Sequence, residues 1–310
     1  KAAVAQDDIP AVTQLFTPRW IVGYLVENSL GRLWLQNRPQ SKLRAEMKYY
    51  LDEVEPVPFE GPKLSSPKDI RLMDPACGSG HILVYAFDLL VEIYREEGFE
   101  DHEIAGLILE HNLVGLDIDE RAAELASFAL TMKARSLSRR FLTNPVQPKV
   151  CALSTPGLKT SELEDYQKRV GKDLFSPGIL STLKQWEDAP HFGALIRPKA
   201  GDVEALRQEL ANLPIQEDLV LAPTHAKILK ALEQIALVGA KVHCVVANPP
   251  YMGSGKMNGA LKEFVKKEYP NAKADLCVCF IERGFDWLVP HGFNALVTMH
   301  SWMFLSSFED

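Results

Sequence analysis

Asn248-Pro249-Pro250-Tyr251 is the stretch whose residue types point most directly to chemistry. An asparagine side chain and a proline carbonyl are neutral hydrogen-bond acceptors, able to grip an amino group without taking its proton as a base would. The tyrosine beside them offers a flat face to a planar ring. The preceding residues, Val242-His243-Cys244-Val245-Val246-Ala247, form an apolar, β-branched run that predicts a buried strand. Two consecutive prolines cannot continue a sheet, because neither donates a ladder hydrogen bond and each ring fixes φ. The strand therefore stops and presents these groups at its carboxyl end, the edge where ligands sit in open α/β sheets. The same four residues also suit an ordinary strand-terminating turn.

A second candidate lies upstream. Ile70-Arg71-Leu72-Met73 predicts a short strand that runs into Asp74-Pro75-Ala76-Cys77-Gly78-Ser79-Gly80, and an apolar helix follows from His81 to about Glu97. Strand, glycine turn and helix make the first half of a βαβ unit, in which glycines let the backbone approach a ligand closely. Leu83 stands where a third glycine would be, and no Gly-Lys-Ser/Thr follows, so neither the dinucleotide fingerprint nor a P-loop fits. Asp74 at the head of the turn suits a positively charged partner better than a pyrophosphate. The next strand, Asn112 to Asp119, places Asp117 where an acid holds ribose hydroxyls in nucleotide-type folds, with Ile118 beside it. Asp119 is expected to cap the amphipathic helix Glu120 to Arg140, whose late cations Lys133, Arg135, Arg139 and Arg140 suit a helix carboxyl terminus.

The remaining elements position these groups. Thr17-Pro18 predicts a helix start, with a threonine cap and proline in the first turn. Trp20, Ile21, Tyr24, Leu25, Leu33 and Trp34 then recur at helical spacing. The Thr17 hydroxyl could meet an anion or act simply as a cap. A second helical stretch is expected around Leu43 to Val54, ended by Pro56 and Pro58. Residues 1–66 thus read as an amino-terminal helical segment and 67–310 as an α/β domain. Val150-Cys151-Ala152-Leu153 predicts the third strand. Eight of the twenty prolines fall between 145 and 223, and residues from about 141 to 240 read as a helical insertion. Within it, Asp202 could meet an adenine amino group or form part of a turn. Beyond Tyr251, five lysines from Lys256 to Lys273 face only Glu263 and Glu268, giving either a solvated helix face or a phosphate-contacting surface. Asp275 to Leu288 predicts a helix, and Phe293 to Met299 a late strand.

Composition bounds the possibilities. A chain of 310 residues, 46% hydrophobic and 24% charged, reads as a globular protein, with no run long enough for a membrane span and no signal peptide. Five cysteines without a paired framework predict reduced thiols in a cytoplasmic protein and no metal site. The net charge of −7 excludes a uniformly basic nucleic-acid binder but leaves room for a local basic patch. The chain opens on Lys1, as expected of a trimmed or processed amino terminus.

Asp74-Pro75-Ala76-Cys77-Gly78-Ser79-Gly80 followed by Asn248-Pro249-Pro250-Tyr251 resembles the motif pair of adenine-N6 DNA methyltransferases that use S-adenosylmethionine. Phe16-Thr17-Pro18 looks like the further cofactor motif that precedes the glycine turn in the γ motif order. Thr17 to Trp34, Asp74 to Leu90 and Thr298 to Phe304 resemble the large phage-exclusion (BREX-type) methyltransferases. The resemblance implies a Rossmann-like methyltransferase fold with a helical amino-terminal segment and insertion. It also implies a fragment of a longer enzyme, inactive on DNA alone because later motifs and a target-recognition domain are missing.

By the same resemblance, Thr17 and the turn that includes Asp74, Ala76, Cys77, Gly78 and Gly80 hold the methionine end of the cofactor. Asp117 takes the ribose hydroxyls, and Ile118 packs on the cofactor adenine, with Asp202 at its amino group. Asn248 and Pro249 accept the amino protons of the target adenine, beside Pro250, and Tyr251 stacks on it. The implied partners are double-stranded DNA with a flipped adenine and other phage-defence proteins, without membrane or metal. Enzymes that methylate an RNA base amine or a protein glutamine amide also use Asn-Pro-Pro-Tyr, and a cofactor-binding module without activity is the alternative from another class.

Overall fold

The computed structural model describes residues 17–53, 59–199, 201–215, 218 and 220–304. The chain divides into two compact units, Lys1–Ala152 with Lys241–Asp310, and Leu153–Ala240.

The first unit is built on a parallel sheet. Strands β1 (Leu72–Asp74), β2 (Leu113–Asp117), β3 (Lys149–Ala152), β4 (Val242–Ala247) and β5 (Leu288–Leu296) stand in the order β3-β2-β1-β4-β5, each pair parallel. This is the α/β, Rossmann-like arrangement expected from the sequence. Strands in such sheets are covered on both faces and read as continuous apolar runs, and β4 is buried along its length except for His243. The order reverses beside β1, where the chain leaves for β2 on one side and returns as β4 on the other. That makes the carboxyl edge between β1 and β4 the place where a crevice opens.

Helix α1 (Arg19–Val26) continues through a π-helical turn, Glu27–Gly31, into a helical end, Arg32–Asn37. It packs on α2 (His81–Glu96). The packed face of the helix is Val22, Leu25, Val26, Leu30, Leu33 and Trp34, while Trp20 and Tyr24 are 58% and 41% exposed. Against the expected helical stretch, residues 43–53 do not form a helix beyond a 3-10 turn at Lys42–Ala45. Their backbone groups are satisfied by side chains instead: Asn28 Nδ2 donates to Tyr49 O (2.8 Å), Leu51 N donates to Asn28 Oδ1 (2.9 Å), and Arg32 Nη2 donates to Leu51 O (2.8 Å). Val54, Pro56, Pro58 and Phe16 lie outside the described residues.

Helices α3 (Asp101–Leu107) and α4 (Glu120–Leu137) complete the layer around β1 to β3. Asp119 caps α4, accepting from Arg121 N at 2.9 Å and Ala122 N at 3.2 Å. Lys133, expected to serve the helix end, instead reaches back to Asp88 at 2.6 Å. Strand β1 begins at Leu72 rather than Ile70, because the carbonyls of Pro67 and Ile70 are taken by the buried Asn112 side chain (2.8 and 2.7 Å). Tyr94 donates to the Asn112 oxygen at 2.9 Å.

The second unit starts at Leu153, not 141, since Phe141 and β3 belong to the first. It holds helices α5 (Thr160–Val170), α6 (Pro177–Gln185), α7 (Val203–Ala211) and α8 (Ala222–Gly239). Its core includes Leu163, Tyr166, Ile179, Leu183, Trp186, Leu206 and Ile228. Two pairs of polar groups meet inside it: Tyr166 Oη lies 2.6 Å from His225 Nδ1, and Trp186 Nε1 donates to Gln234 Oε1 at 2.8 Å.

After β4 come α9 (Gly259–Glu268) and α10 (Leu276–Trp287), and β5 starts at once at Leu288, earlier than the Phe293 expected. Its pairing with β4 shifts register between Val242 and Cys244, across a stretch that contains His291 with φ 61°. No helix among the described residues is long and apolar enough to cross a membrane.

Asn112 ties β2, α2 and the approach to β1 together through three buried hydrogen bonds. Asn112→Ala should lower the unfolding free energy in urea by about 1–3 kcal/mol through stranded carbonyls. Leu125→Ala, on an exposed face of α4, should change it by less than about 0.5 kcal/mol.

Candidate active site

The glycine turn hangs from the carboxyl ends of β1 and β2. Cys77 N donates to Leu116 O at 2.9 Å, Gly80 N to Cys77 O at 2.8 Å, and Ala76 N to Asp74 Oδ1 at 3.2 Å. Gly78 N donates to Asp117 Oδ2 at 2.7 Å, and Asp119 N to Asp117 Oδ1 at 2.9 Å. Asp117 thus clamps the turn to the end of β2. Gly80 has φ 84°, and a Cβ there would stand 2.8 Å from the Ala126 Cβ of α4. Gly78 has φ 50° and nothing within 4 Å of a Cβ position, so its backbone lies open to a ligand.

The two acids set the electrostatics of this edge. Burial drives the Asp74 carboxyl up to about 8, and the charge of Asp117 pushes the same way. Asp117 is itself raised, chiefly by burial, against the pull of its backbone donors. The Cys77 thiol is pushed well up by burial and then by both carboxyls, so it is not a nucleophile at neutral pH. Among the described residues neither carboxyl is paired with a cation, and two such groups form a site that favours one. Ile118 is half-buried at the end of β2.

On the adjacent strand, β4 ends at Ala247 and the chain turns out through Asn248 and the two prolines. Asn248 Nδ2 donates to Thr17 Oγ1 at 2.9 Å. The Tyr251 hydroxyl lies 2.7 Å from Asn248 Oδ1 and 2.9 Å from the carbonyl of Val297. Thr17 does not cap α1 as the sequence suggested; Pro18 occupies the cap position, and its carbonyl accepts from Ile21 N and Val22 N. The loop after Tyr251 is strapped down: Ser254 N donates to Ala274 O (2.8 Å) and Leu276 N to Met252 O (3.0 Å). Burial, with the Asp275 carboxylate acting the same way, pushes Tyr251 up to about 12, so the phenol keeps its proton and can donate.

The structure therefore gathers the predicted residues at neighbouring strand ends in the order β2-β1-β4: Asp117 and Ile118, the 74–80 turn, and Asn248 to Tyr251, joined by Thr17. Asp202 belongs to the other unit. It is the cap of α7 there, accepting from Ala205 N at 2.9 Å. The sequence reading missed Val297, Asp275 and Cys277 as neighbours of Tyr251. Asp275 was visible only as the residue before an apolar helix, where it caps α10, and a backbone acceptor such as Val297 O leaves no signal in residue type. Among the described residues, no group of three or more His, Cys, Asp or Glu is placed to hold a metal.

The family model described as Eco57I restriction-modification methylase matches residues 111–310, and that described as MmeI, DNA-methyltransferase domain, matches residues 64–149. The adenine-specific methyltransferase BrxX of Escherichia coli O9:H4 (strain HS) is 40% identical over 336 residues, covering 99% of this chain and 28% of that protein. The adenine-specific methyltransferase PglX of Lacticaseibacillus casei (strain Zhang) is 37% identical over 331 residues, covering 100% of this chain and 27% of that protein. The chain thus spans less than a third of the length of these relatives.

The Asp117 clamp makes a prediction that needs no ligand. Asp117→Ala should speed hydrogen exchange at the Gly78 and Asp119 amides by about tenfold, the worth of one charge-assisted bond at each. Unchanged exchange at both amides would show that the turn holds its shape without the carboxylate.

Proposed function

We propose, on the premise that this chain belongs to the Eco57I restriction-modification methylase family, that it carries the site for methyl transfer from S-adenosylmethionine to the N6 amino group of adenine in DNA. The observation that carries this reading is Asn248 at the end of β4, its amide held from both ends, on the strand next to an acidic glycine turn. The names of BrxX and PglX as adenine-specific methyltransferases support the choice of base. The resemblance to phage-exclusion enzymes supports a role in phage defence, with DNA and other defence proteins as partners.

The residues at the β1 and β2 ends suit the cofactor. It is a sulfonium cation with an amino acid tail, and among the described residues Asp74 and Asp117 are paired with no cation. The 74–80 turn would hold the methionine end, with Gly78 open to close approach. Asp117 would accept from the ribose hydroxyls and Ile118 would face the adenine ring. When bound, the cofactor supplies a methyl group activated by the positive sulfur.

The amino nitrogen of adenine is a poor nucleophile because its lone pair is delocalised into the ring. Asn248 Oδ1 and the Pro249 carbonyl would accept its two protons, favouring a tetrahedral nitrogen with its lone pair aimed at the methyl group. They would also stabilise the positive charge that develops there. Tyr251 would stack on a base turned out of the duplex. Exposed Lys256, Lys262, Lys266, Lys267 and Lys273, on and beside α9, would meet phosphates.

Asn248→Ala in the full-length gene product that carries this chain should abolish adenine methylation while the S-adenosylmethionine Kd stays within about threefold of wild type, since the amide serves the base and not the cofactor. Methylation at a comparable rate by the variant would remove Asn248 from the chemistry.

Asp74 gives a pH signature. With its carboxyl raised to about 8, most molecules are protonated at pH 7, and a cation bound there favours the carboxylate and expels the proton. Affinity for S-adenosylmethionine should therefore rise with pH between 6 and 8, and calorimetry in buffers of different ionisation enthalpy should detect proton release at pH 7. Asp74→Asn should bind more weakly and lose that release. Equal release from wild type and variant would assign the proton elsewhere.

Lys262→Glu with Lys266→Glu should weaken DNA binding uniformly across sequences and reduce the salt slope by about one for each phosphate no longer neutralised. An unchanged slope would return α9 to the role of a solvated face.

A further inference from the structure

Thr17 and Asn248 are separated by 231 positions, yet the threonine hydroxyl accepts directly from the asparagine amide. That hydroxyl is not occupied in capping α1, a task that falls to Pro18. Thr17 itself is buried, and the helix that delivers it is locked in place. Gly23 lets the rings of Tyr49 and Tyr85 close against α1, since a Cβ there would meet them at 2.6 and 2.9 Å. Buried Glu27 then accepts from the Tyr85 hydroxyl at 2.6 Å and from Tyr49 N.

The location matters because an asparagine amide has two ends of nearly equal shape and opposite role. Turned one way it offers an acceptor to an incoming amine. Turned the other way it offers a second donor, which repels that amine. Packing alone cannot tell the ends apart, so hydrogen-bond partners must. Thr17 Oγ1 takes Nδ2, which leaves Oδ1 as the end directed to Tyr251. Donation from Nδ2 also raises electron density on Oδ1 through the amide, because hydrogen bonds in a chain polarise one another.

Tyr251 completes the arrangement. Its hydroxyl has a single proton and two acceptors in reach, Asn248 Oδ1 at 2.7 Å and Val297 O at 2.9 Å. It can satisfy Oδ1 before a base arrives and turn to Val297 O when an amine takes its place, so that the hydroxyl stays hydrogen-bonded throughout.

We propose that Thr17 is a positioning residue that fixes the direction of the Asn248 amide, and that the Tyr251 hydroxyl is a placeholder at Oδ1 which turns its proton to the Val297 carbonyl as the substrate amine enters. This rests on the reading of Asn248 as the acceptor of the adenine amino group. It gives the threonine a task at the base, and gives the tyrosine a function beyond the flat face of its ring.

The test uses the full-length gene product that carries this chain, unmethylated DNA made by amplification, and tritiated S-adenosylmethionine at saturation. Thr17→Val keeps the shape and removes the acceptor. It should lower kcat by about 10- to 100-fold with the cofactor Kd within about threefold, and Thr17→Ser should recover kcat to within about threefold of wild type. Tyr251→Phe keeps the ring and removes the proton, and should lower kcat by about tenfold while KM for DNA moves by less than about threefold. A Thr17→Val enzyme with wild-type kcat at saturation but a weakened cofactor Kd would overturn the inference by placing Thr17 on the cofactor. Equal loss in the Ser and Val variants, or a wild-type kcat in Tyr251→Phe, would overturn it as well. Methylation by Asn248→Ala would instead defeat the functional reading beneath it, whereas an inactive Asn248→Ala beside a fully active Thr17→Val would defeat this inference alone.

Discussion

Parallel pairing of β1 with β4 decides what can meet at the carboxyl edge of the sheet. Leu72 stands opposite Cys244 and Met73 opposite Val245, so the two strands run out side by side. One ends in an acid and a glycine turn, the other in an asparagine and two prolines. The long-range contacts of the first unit then keep that edge in place. The Asp117 carboxylate pins the turn to β2, the strap between Met252–Ser254 and Ala274–Leu276 pins the loop after Tyr251, and α1 carries Thr17 onto Asn248. None of these contacts is local in sequence, and each costs chain entropy that only a packed core can offset.

Charge is divided along this edge. At the acidic end Asp74 is buried and Asp117 half-buried, and among the described residues neither is paired with a cation, so a cation is favoured there. The lysines of and around α9 are exposed on the other side of the Asn-Pro-Pro-Tyr turn in sequence, in a chain whose net charge is −7. A cationic donor and a polyanionic acceptor need opposite surroundings, and a single net charge describes neither. Between them in sequence stand Asn248 and Tyr251, both uncharged at neutral pH, the tyrosine because burial holds its phenol at about 12. Neutral groups are suited to an amine whose protons are held while its lone pair takes the methyl group from sulfur, one proton leaving to solvent afterwards.

Much of this was legible in the sequence wherever residue type dictates backbone. The run Val242–Ala247 is a strand with the bounds that its prolines impose, α2 starts where the glycine turn ends, and Asp119 caps α4. What escaped was set by tertiary partners. Residues 43–54 have helical spacing, but Asn28 and Arg32 offer their backbone groups other partners. Trp20 and Tyr24 keep helical period with the core residues and yet face outward, because a period marks a stripe and not which stripe is covered. That Asp202 caps α7 shows only once that helix is formed. The bridge from Thr17 to Asn248 was beyond any reading of spacing, since its two ends are joined only by the fold.

Delivery of a methyl group from this edge to an exocyclic amine of adenine in DNA is best checked by mass spectrometry of nucleosides and amino acids. The full-length gene product that carries this chain would act, with methyl-deuterated S-adenosylmethionine, on a mixture of unmethylated DNA, RNA and cell protein. Deuterated label should appear in N6-methyldeoxyadenosine and in no other nucleoside or amino acid. Label in a cytosine, in RNA or in glutamine side chains would refute adenine in DNA as the acceptor.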